Sequence, residues 1–167
     1  KMPKDMRRVK IFIGLIFFSF SLYAQRTSEL KVHVSQELSF GSFYSGRSGG
    51  TITISPDGNR WVTGEIILLV NSSGCPAVLE IEAPPNRTIH VKFPVSAEIK
   101  QAGGQQSLTI NNFTTDKLNN SLLTSSRDLP YGNQVRVGAT LTVPGSVTLS
   151  SGNYIGNFRI NVVCIQE

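Results

Sequence analysis

Short runs in which apolar and polar residues alternate recur along this chain, separated by glycine, asparagine, serine and proline. In the first run, Leu30, Val32 and Val34 are apolar, while Lys31 and His33 between them are polar. A strand with one face against a core has this period of two, and closely spaced turn residues are typical of all-β proteins. The runs span residues 30–34, 38–44, 49–61, 64–70, 75–83, 86–95, 107–113, 133–145 and 154–165.

These runs predict an all-β sandwich or barrel, and the lack of amphipathic helices excludes helix-linked parallel architectures. Two segments depart from plain alternation. Residues 64–70 are almost continuously apolar and are predicted to be covered on both faces, and residues 114–131 are predicted to form a long loop. Residues 154–165 are predicted to be one core strand. The residues predicted to point inward are Leu30, Val32, Val34, Ile52, Ile54, Leu79, Ile81, Ile89, Val91, Phe93, Leu108, Ile110, Val135, Val137, Ala139, Leu141 and Val143.

The start of the chain has the pattern of a secretory signal. Arg7, Arg8 and Lys10 precede an apolar run over residues 11–20, and small and polar residues follow up to Ala24. The apolar run is short for a membrane span, although an N-terminal anchor helix is an alternative. We expect residues 1–24 to be a signal peptide and residues 25–167 to be a single domain without a membrane span.

The formal net charge of +5 comes mainly from this leader, because residues 1–24 contain five of the 16 Lys and Arg residues and one of the 11 Asp and Glu residues. The remaining chain is close to neutral and has no cluster of basic residues. Nucleic-acid binding is therefore not predicted.

The two cysteines of the chain are Cys75 and Cys164. Cys75 has the strand phase of Leu79, and Cys164 has the phase of Val162, so both are predicted to face the core. In an exported protein such a pair predicts one disulfide. Two buried free thiols are the alternative, and two cysteines with two distant histidines do not form the ligand cluster of a metal site.

The sequence contains no recognisable catalytic pattern. The two histidines, His33 and His90, occupy outward positions of predicted strands, and Glu80 and Glu82 lie on one solvated strand face. Residues 46–50, Gly-Arg-Ser-Gly-Gly, match the letters Gly-x-Ser-x-Gly, but this glycine-rich stretch is predicted to be a hairpin loop and no helix is predicted after it, as a nucleophile elbow would require. The stretch also lacks the Lys-Ser/Thr of a phosphate-binding loop, and a dinucleotide fingerprint is missing from the sequence. We expect a protein that is not an enzyme and has no cofactor, which leaves a structural subunit or a binding module.

Four sequence blocks, in order, resemble a bacterial family of secreted proteins known as domain of unknown function 4402. The blocks are Leu38, Phe40 and Gly41; the stretch 49–58; Val137, Gly138, Thr140 and Leu141; and Gly152, Tyr154, Gly156 and Phe158. The resemblance covers nearly all of residues 25–167 and implies an exported β-sandwich, while leaving its role open.

The two ends of the domain are also distantly similar to chaperone–usher pilins of the spore coat protein U type. That similarity implies an immunoglobulin-like, pilin-like sandwich that lacks its last strand, which the N-terminal extension of the next subunit supplies. It also implies identical or related subunits, a periplasmic chaperone and an outer-membrane usher as partners. The expected location is the periplasm, outer surface or fimbrium of a Gram-negative bacterium.

The resemblance predicts an assembly strand at residues 27–35, in which Leu30, Val32 and Val34 fill a groove on a neighbouring subunit. The same segment could instead pair within its own domain. The expected function is a non-enzymatic extracytoplasmic structural subunit, pilin-like or adhesin-like. The alternative is a monomeric module that binds a glycan or a protein through the loops at residues 44–50 and 114–131, where the available aromatic residues are Phe43, Tyr44, Trp61 and Tyr131.

Overall fold

A computed structural model of the chain describes residues 30–125, 133–145 and 149–165. The predicted signal peptide, the first residues of the predicted assembly strand and Tyr131 lie outside these ranges. No helix among the described residues is long and apolar enough to cross a membrane. The elements are β1 (Lys31–Gln36), β2 (Phe43–Ile54), β3 (Arg60–Leu68), β4 (Ala77–Glu82), β5 (Thr88–Lys92), β6 (Ser96–Gln101), β7 (Ser107–Thr115), a short 3-10 helix (Leu118–Asn120), β8 (Ser121–Leu123), β9 (Gln134–Val143), β10 (Tyr154–Ile155) and β11 (Asn161–Ile165).

The strands form two antiparallel sheets, which confirms the predicted all-β sandwich. The larger sheet has the order β1-β4-β9-β7-β6-β10, and β2 joins it along β9 while β3 pairs with β2. The smaller sheet has the order β11-β5-β8.

β9 is the central strand of the larger sheet. Along one edge, its first half pairs with β4 (Val137 opposite Ala77) and its second half with β2 (Leu141 opposite Ile52). Along the other edge it pairs with β7, where Ile110 lies opposite Leu141. Its alternate residues are all buried, as predicted: Val135, Val137, Ala139, Leu141 and Val143.

β9 also divides the core into two clusters. The first core cluster comprises Phe40, Ile52, Ile54, Ile66, Leu108, Ile110, Ala139, Leu141 and Val143. The second core cluster lies between the two sheets and comprises Ala77, Leu79, Ile81, Ile89, Val91, Val135 and Val137. Leu38 and Phe113 pack against both clusters. Phe113 also stacks on Phe93 with ring centroids 5.7 Å apart and contacts the ring of Phe158 at 4.9 Å.

The apolar run at residues 64–70 is not covered on both faces, so that prediction is wrong. Ile66 is buried in the first core cluster, but Ile67 and Leu69 are exposed and Val70 is 89% exposed. β3 pairs with β2 alone among the described strands, and its outer face has no covering layer there. An apolar run without alternation therefore did not indicate burial on both sides.

The segment predicted as a long loop contains a strand. β7 extends to Thr115, the 3-10 helix follows, and β8 pairs with β5, with Leu122 opposite Ile89. β8 has three residues, too few to show a period of two. Residues 126–131 of the predicted loop lie outside the described ranges.

The closing run is two strands rather than one, which corrects the prediction. β10 pairs with β6 in the larger sheet, whereas β11 pairs with β5 in the smaller sheet. Between them the chain crosses from sheet to sheet past Gly156, where an added Cβ would lie 2.3 Å from the Glu98 carbonyl oxygen. Ile160 and Val162 keep the inward phase and pack against the second core cluster. Alternation alone therefore cannot distinguish a strand that changes sheets from a continuous one.

Candidate functional site

The predicted assembly strand forms β1 within its own domain. β1 pairs with β4, with Val32 opposite Ile81 and Val34 opposite Leu79. Its register shifts between Val34 and Gln36, which is a bulge near the end of the strand. The structure therefore has the in-domain pairing that was the alternative to pairing with a neighbour.

Burial in β1 does not match its pairing. Ile81 and Leu79 of β4 are buried, yet all six residues of β1 are exposed. Val32 and Val34 lie on the same sheet face as these partners but remain 39% and 59% exposed. In the part of the chain that the structure describes, the smaller sheet ends at β11, and it has no further strand that could cover β1.

An apolar groove of about 370 Å³ lies between β1 and the chain that leads into β11. We call it the lateral groove, and its lining residues are Leu30, Val32, Val34, Leu79, Phe158, Ile160 and Val162. β1 is the last strand of the larger sheet and β11 the last of the smaller sheet, so each has one edge without a strand partner in the part of the chain that the structure describes.

A larger cleft of about 680 Å³ begins where the lateral groove ends. Its floor is formed by Leu108, Ile110 and Leu141 of the first core cluster, and Phe158 lines both the cleft and the lateral groove. Residues 37–45 form one wall and residues 149–158 the other. We refer to the lateral groove and the cleft together as the open side.

Two more free strand edges border the cleft. β2 pairs with β9 only from Gly50 onward, so its first residues, Phe43–Ser45, pair with β3 alone among the described strands. β10 likewise pairs only with β6 within those ranges. The open side is thus an elongated apolar surface flanked by backbone groups that could pair with an extended chain.

Arg60 fixes the wall of the cleft that precedes β2. Its Nη1 donates to the Phe40 carbonyl oxygen at 3.1 Å and its Nη2 donates to the Ser72 carbonyl oxygen at 2.6 Å. Gly41, which follows Phe40, has a φ of +71°, and a Cβ added to it would lie 2.3 Å from Arg60 Nη1. This contact gives a physical reason for the glycine of the Leu-x-Phe-Gly block. Sequence reasoning missed Arg60, since no local pattern links it to residue 40.

Tyr154 fixes the opposite wall. Its hydroxyl oxygen lies 2.9 Å from both Gln106 Oε1 and the Ser150 carbonyl oxygen, and the Ser150 amide donates to the same Gln106 oxygen at 2.7 Å. Desolvation by burial raises the pKa of the Tyr154 phenol, so the hydroxyl stays protonated and able to donate at neutral pH.

Of the aromatic residues proposed for a binding module, the three that the structure describes are not grouped. Phe43 packs against the first core cluster, whereas Tyr44 and Trp61 are exposed. Tyr44 lies opposite Ile67 and Trp61 opposite Thr53, so that six residues of β3, or about 20 Å, separate them. A shallow depression of about 550 Å³ lies beside the 3-10 helix. Asn119 and Asn120 of that helix line it, together with His90 and Lys92 of β5 and Asn112 of β7.

The predicted disulfide is absent from the structure, which has Cys75 and Cys164 as free thiols. Cys75 precedes β4 and forms an isolated bridge with Ser39, whereas Cys164 pairs with Ile89 at the start of β5. β5 follows the far end of β4, so the two cysteines lie at opposite ends of a strand about 20 Å long. A disulfide requires Cα atoms within about 7 Å. The strand phase of Cys75 and Cys164 therefore predicted the direction of each side chain but not the distance between them.

The histidines show no catalytic arrangement in the described ranges. His33 Nε2 lies 3.5 Å from Glu82 Oε1, and His90 lies 3.1 Å from the Ser121 hydroxyl. His33 is exposed as predicted, whereas His90 is half-buried. Among the residues that the structure describes, no group of three His, Cys, Asp or Glu side chains could hold a metal ion.

Comparison with known proteins identifies a family for this arrangement. No curated protein and no solved structure matches the chain. The profile of the family described as "Domain of unknown function (DUF4402)" matches residues 30–163, which begins just before β1 and ends inside β11. The match thus includes both walls of the open side, and the chain belongs to the DUF4402 family.

Proposed function

We propose that this chain is a non-enzymatic extracytoplasmic structural subunit, pilin-like or adhesin-like, that joins neighbouring subunits by β-strand addition at the open side. The observation that carries the proposal is the lateral groove. There, Val32 and Val34 of β1 are exposed, and β1 and β11 each have a free edge among the described strands. Free, apolar edges promote pairing with another chain and are normally covered. An extended segment from a neighbour would pair with the backbone of such an edge.

β1 itself is the segment most suited to be exchanged. It is bound along one edge, and all its residues are exposed, so its detachment would uncover little buried surface of its own. If the β1 of one subunit takes the same place on the next, the pairs of Val32 with Ile81 and Val34 with Leu79 form again between chains. Such an exchange costs little because it replaces each contact with an identical one.

Export and partners are part of the same proposal. The leader pattern at residues 1–24 supports secretion, and an assembling subunit of this kind would require a periplasmic chaperone and an outer-membrane usher. A disulfide between Cys75 and Cys164 is not included, because Cys75 precedes β4 whereas Cys164 of β11 pairs with the start of β5, which follows the far end of β4.

The test is the solution mass of the full chain recovered from a bacterial periplasm, with unheated and heated gel lanes run alongside. We expect a ladder of oligomers that heating collapses to a monomer. A single monomer under all conditions would contradict the proposal and would favour the alternative, a monomeric binding module.

Two matched substitutions locate the contact. Leu30→Asp and Val34→Asp place a charge on the apolar face of the strand that is proposed to be exchanged and should abolish the ladder, since an unpaired carboxylate is unfavourable against the apolar lining of the lateral groove. Val95→Asp makes the same change at a valine that is 93% exposed and does not line the open side, so its ladder should persist. An unchanged ladder in Val34→Asp would place the interface elsewhere.

A further inference from the structure

The outer face of the larger sheet carries two in-register rows made mainly of uncharged polar residues. One row runs across five strands as Thr63, Thr51, Thr142, Thr109 and Glu98, and only its last member is charged. The other row runs as Trp61, Thr53, Thr140, Asn111 and Ser96. We call the part of this surface on β3, β2, β9 and β7 the threonine face.

The side chains of the threonine face hydrogen-bond to one another across strands. Thr51 Oγ1 lies 2.7 Å from Thr63 Oγ1, and Thr53 Oγ1 lies 3.0 Å from Thr140 Oγ1. Each such pair uses one O–H donor and one lone pair, so one donor and several lone pairs per pair remain for a ligand. Strand spacing places these groups about 4.8 Å apart across the sheet and about 6.7 Å apart along it.

Asn111 has an unused acceptor within this face. Its Nδ2 donates to Thr142 Oγ1 at 3.3 Å, but its Oδ1 is buried and has no hydrogen-bond partner in the described structure. A buried amide oxygen without a donor is unfavourable. A small rotation of the amide toward an incoming hydroxyl would satisfy it.

Trp61 distinguishes the threonine face from an ordinary exposed sheet. Threonine alone is explained by its preference for strands. Trp61, in contrast, is the only tryptophan of the chain, and it remains 48% exposed at the end of the row that contains Thr53 and Thr140. A large aromatic plane beside a regular set of hydroxyl and amide groups can stack on a sugar ring while the polar groups bond its hydroxyls.

We propose that the threonine face binds a neutral polysaccharide, which lies along the row from Trp61 to Asn111. The members of the two rows on β3, β2, β9 and β7 are uncharged, and the exposed charges on these strands, Arg47, Glu65 and Arg136, lie outside the two rows. This fits an uncharged ligand, whereas a nucleic acid or an anionic glycan would require a set of basic groups. The row extends over three strand spacings, or about 14 Å, enough for several sugar rings. The proposal does not depend on strand addition, because the face lies away from the lining of the open side.

The test is co-sedimentation of the full exported chain with insoluble cellulose, chitin and mannan, together with its fluorescence on titration with soluble dextran and alginate. Because the chain contains one tryptophan, its emission reports directly on Trp61. We expect at least one neutral polysaccharide to bind and to shift this emission, with little effect of added salt. Failure of all the neutral polymers, or binding of alginate alone with loss in salt, would overturn the proposal.

Variants separate recognition from folding. Trp61→Ala should weaken binding about tenfold by removing the stacking plane, and Trp61→Phe should restore part of it. Thr140→Val keeps the shape of the side chain but removes its hydroxyl and should also weaken binding. Tyr44→Ala removes an exposed aromatic ring about 20 Å away and should bind as the unaltered chain does. Equal binding by Trp61→Ala and the unaltered chain would refute the assignment.

Discussion

β9 and β1 have the same alternation of apolar and polar residues but very different burial. Val135 and Val137 of β9 are buried, whereas Val32 and Val34 of β1 face the same side of the same sheet and are exposed. β9 has strand partners on both edges and shares the second core cluster with the smaller sheet, while β1, among the described strands, has a partner on one edge only. Alternation thus determines which way a side chain points, and the neighbouring layer determines whether it is buried.

The largest effect is expected when the same substitution, valine to alanine, is made in each of the two strands. Val137→Ala should lower the free energy of unfolding by about 2–3 kcal/mol, because it removes two buried methyl groups and leaves a cavity. Val34→Ala should change it by less than about 0.5 kcal/mol, since the side chain is mostly exposed. Urea denaturation of the monomeric protein measures both values. Equal losses at the two sites would show that β1 is covered in solution.

Hydrogen exchange provides a second test that involves no mutation. Amides of β1 should exchange through local detachment of the strand from β4, while amides of β9 should exchange only when the domain unfolds. We therefore expect the protection of β9 amides to fall as denaturant is added, and the protection of β1 amides to be nearly independent of denaturant. If amide protection in β1 and in β9 depended on denaturant in the same way, β1 would not be weakly held, and the case for its exchange would be weaker.

The smallest effect concerns β3, an edge strand that Glu65 ties to β2 through hydrogen bonds with Ser48. Hydrogen bonds from the Ser48 amide and hydroxyl to Glu65 lower the pKa of this exposed carboxyl below its ordinary value of 4.5. Because this pKa is lowered, the hydrogen bonds between Ser48 and Glu65 are fully formed when the pH is above the ordinary pKa of the carboxyl. They are lost as the pH falls through its lower pKa in the folded state.

NMR can follow this tie through the chemical shift of the Ser48 amide. The shift should be constant above about pH 5 and should titrate with a midpoint below 4.5. Glu65→Gln should leave the same amide without a titration. A midpoint at or above 4.5 would show that the bond does not hold the bulge between β2 and β3 in solution.

Much of the fold could be predicted from the sequence because the central strands obey simple alternation. The inward residues of β4, β5, β7 and β9 were identified correctly, since each of these strands is covered on one face only. The errors fall where another factor determines the structure. Ile67 and Val70 are apolar but uncovered, β8 is too short to show a period, and the closing run changes sheets at Gly156 without changing phase.

The candidate site was only partly predictable. Leu30, Val32 and Val34 were identified as an apolar strand face, and they do line the lateral groove. The other wall could not be foreseen, because the position of Phe158 and Ile160 follows from the crossing between sheets. The cysteines illustrate the same limit, since strand phase gives a direction but not a position along the strand.

The central place of β9 also determines the order in which the molecule can fold. β2, β4 and β7 all precede β9 in the chain, and each of them gains its second strand partner or its place in the sheet only when residues 134–143 are available. A growing chain that ends before residue 134 therefore carries three strands with unsatisfied edges, and long-range pairing of this kind is slow. Folding must wait until most of the polypeptide has emerged, and a chain truncated before β9 should aggregate rather than form half of the domain.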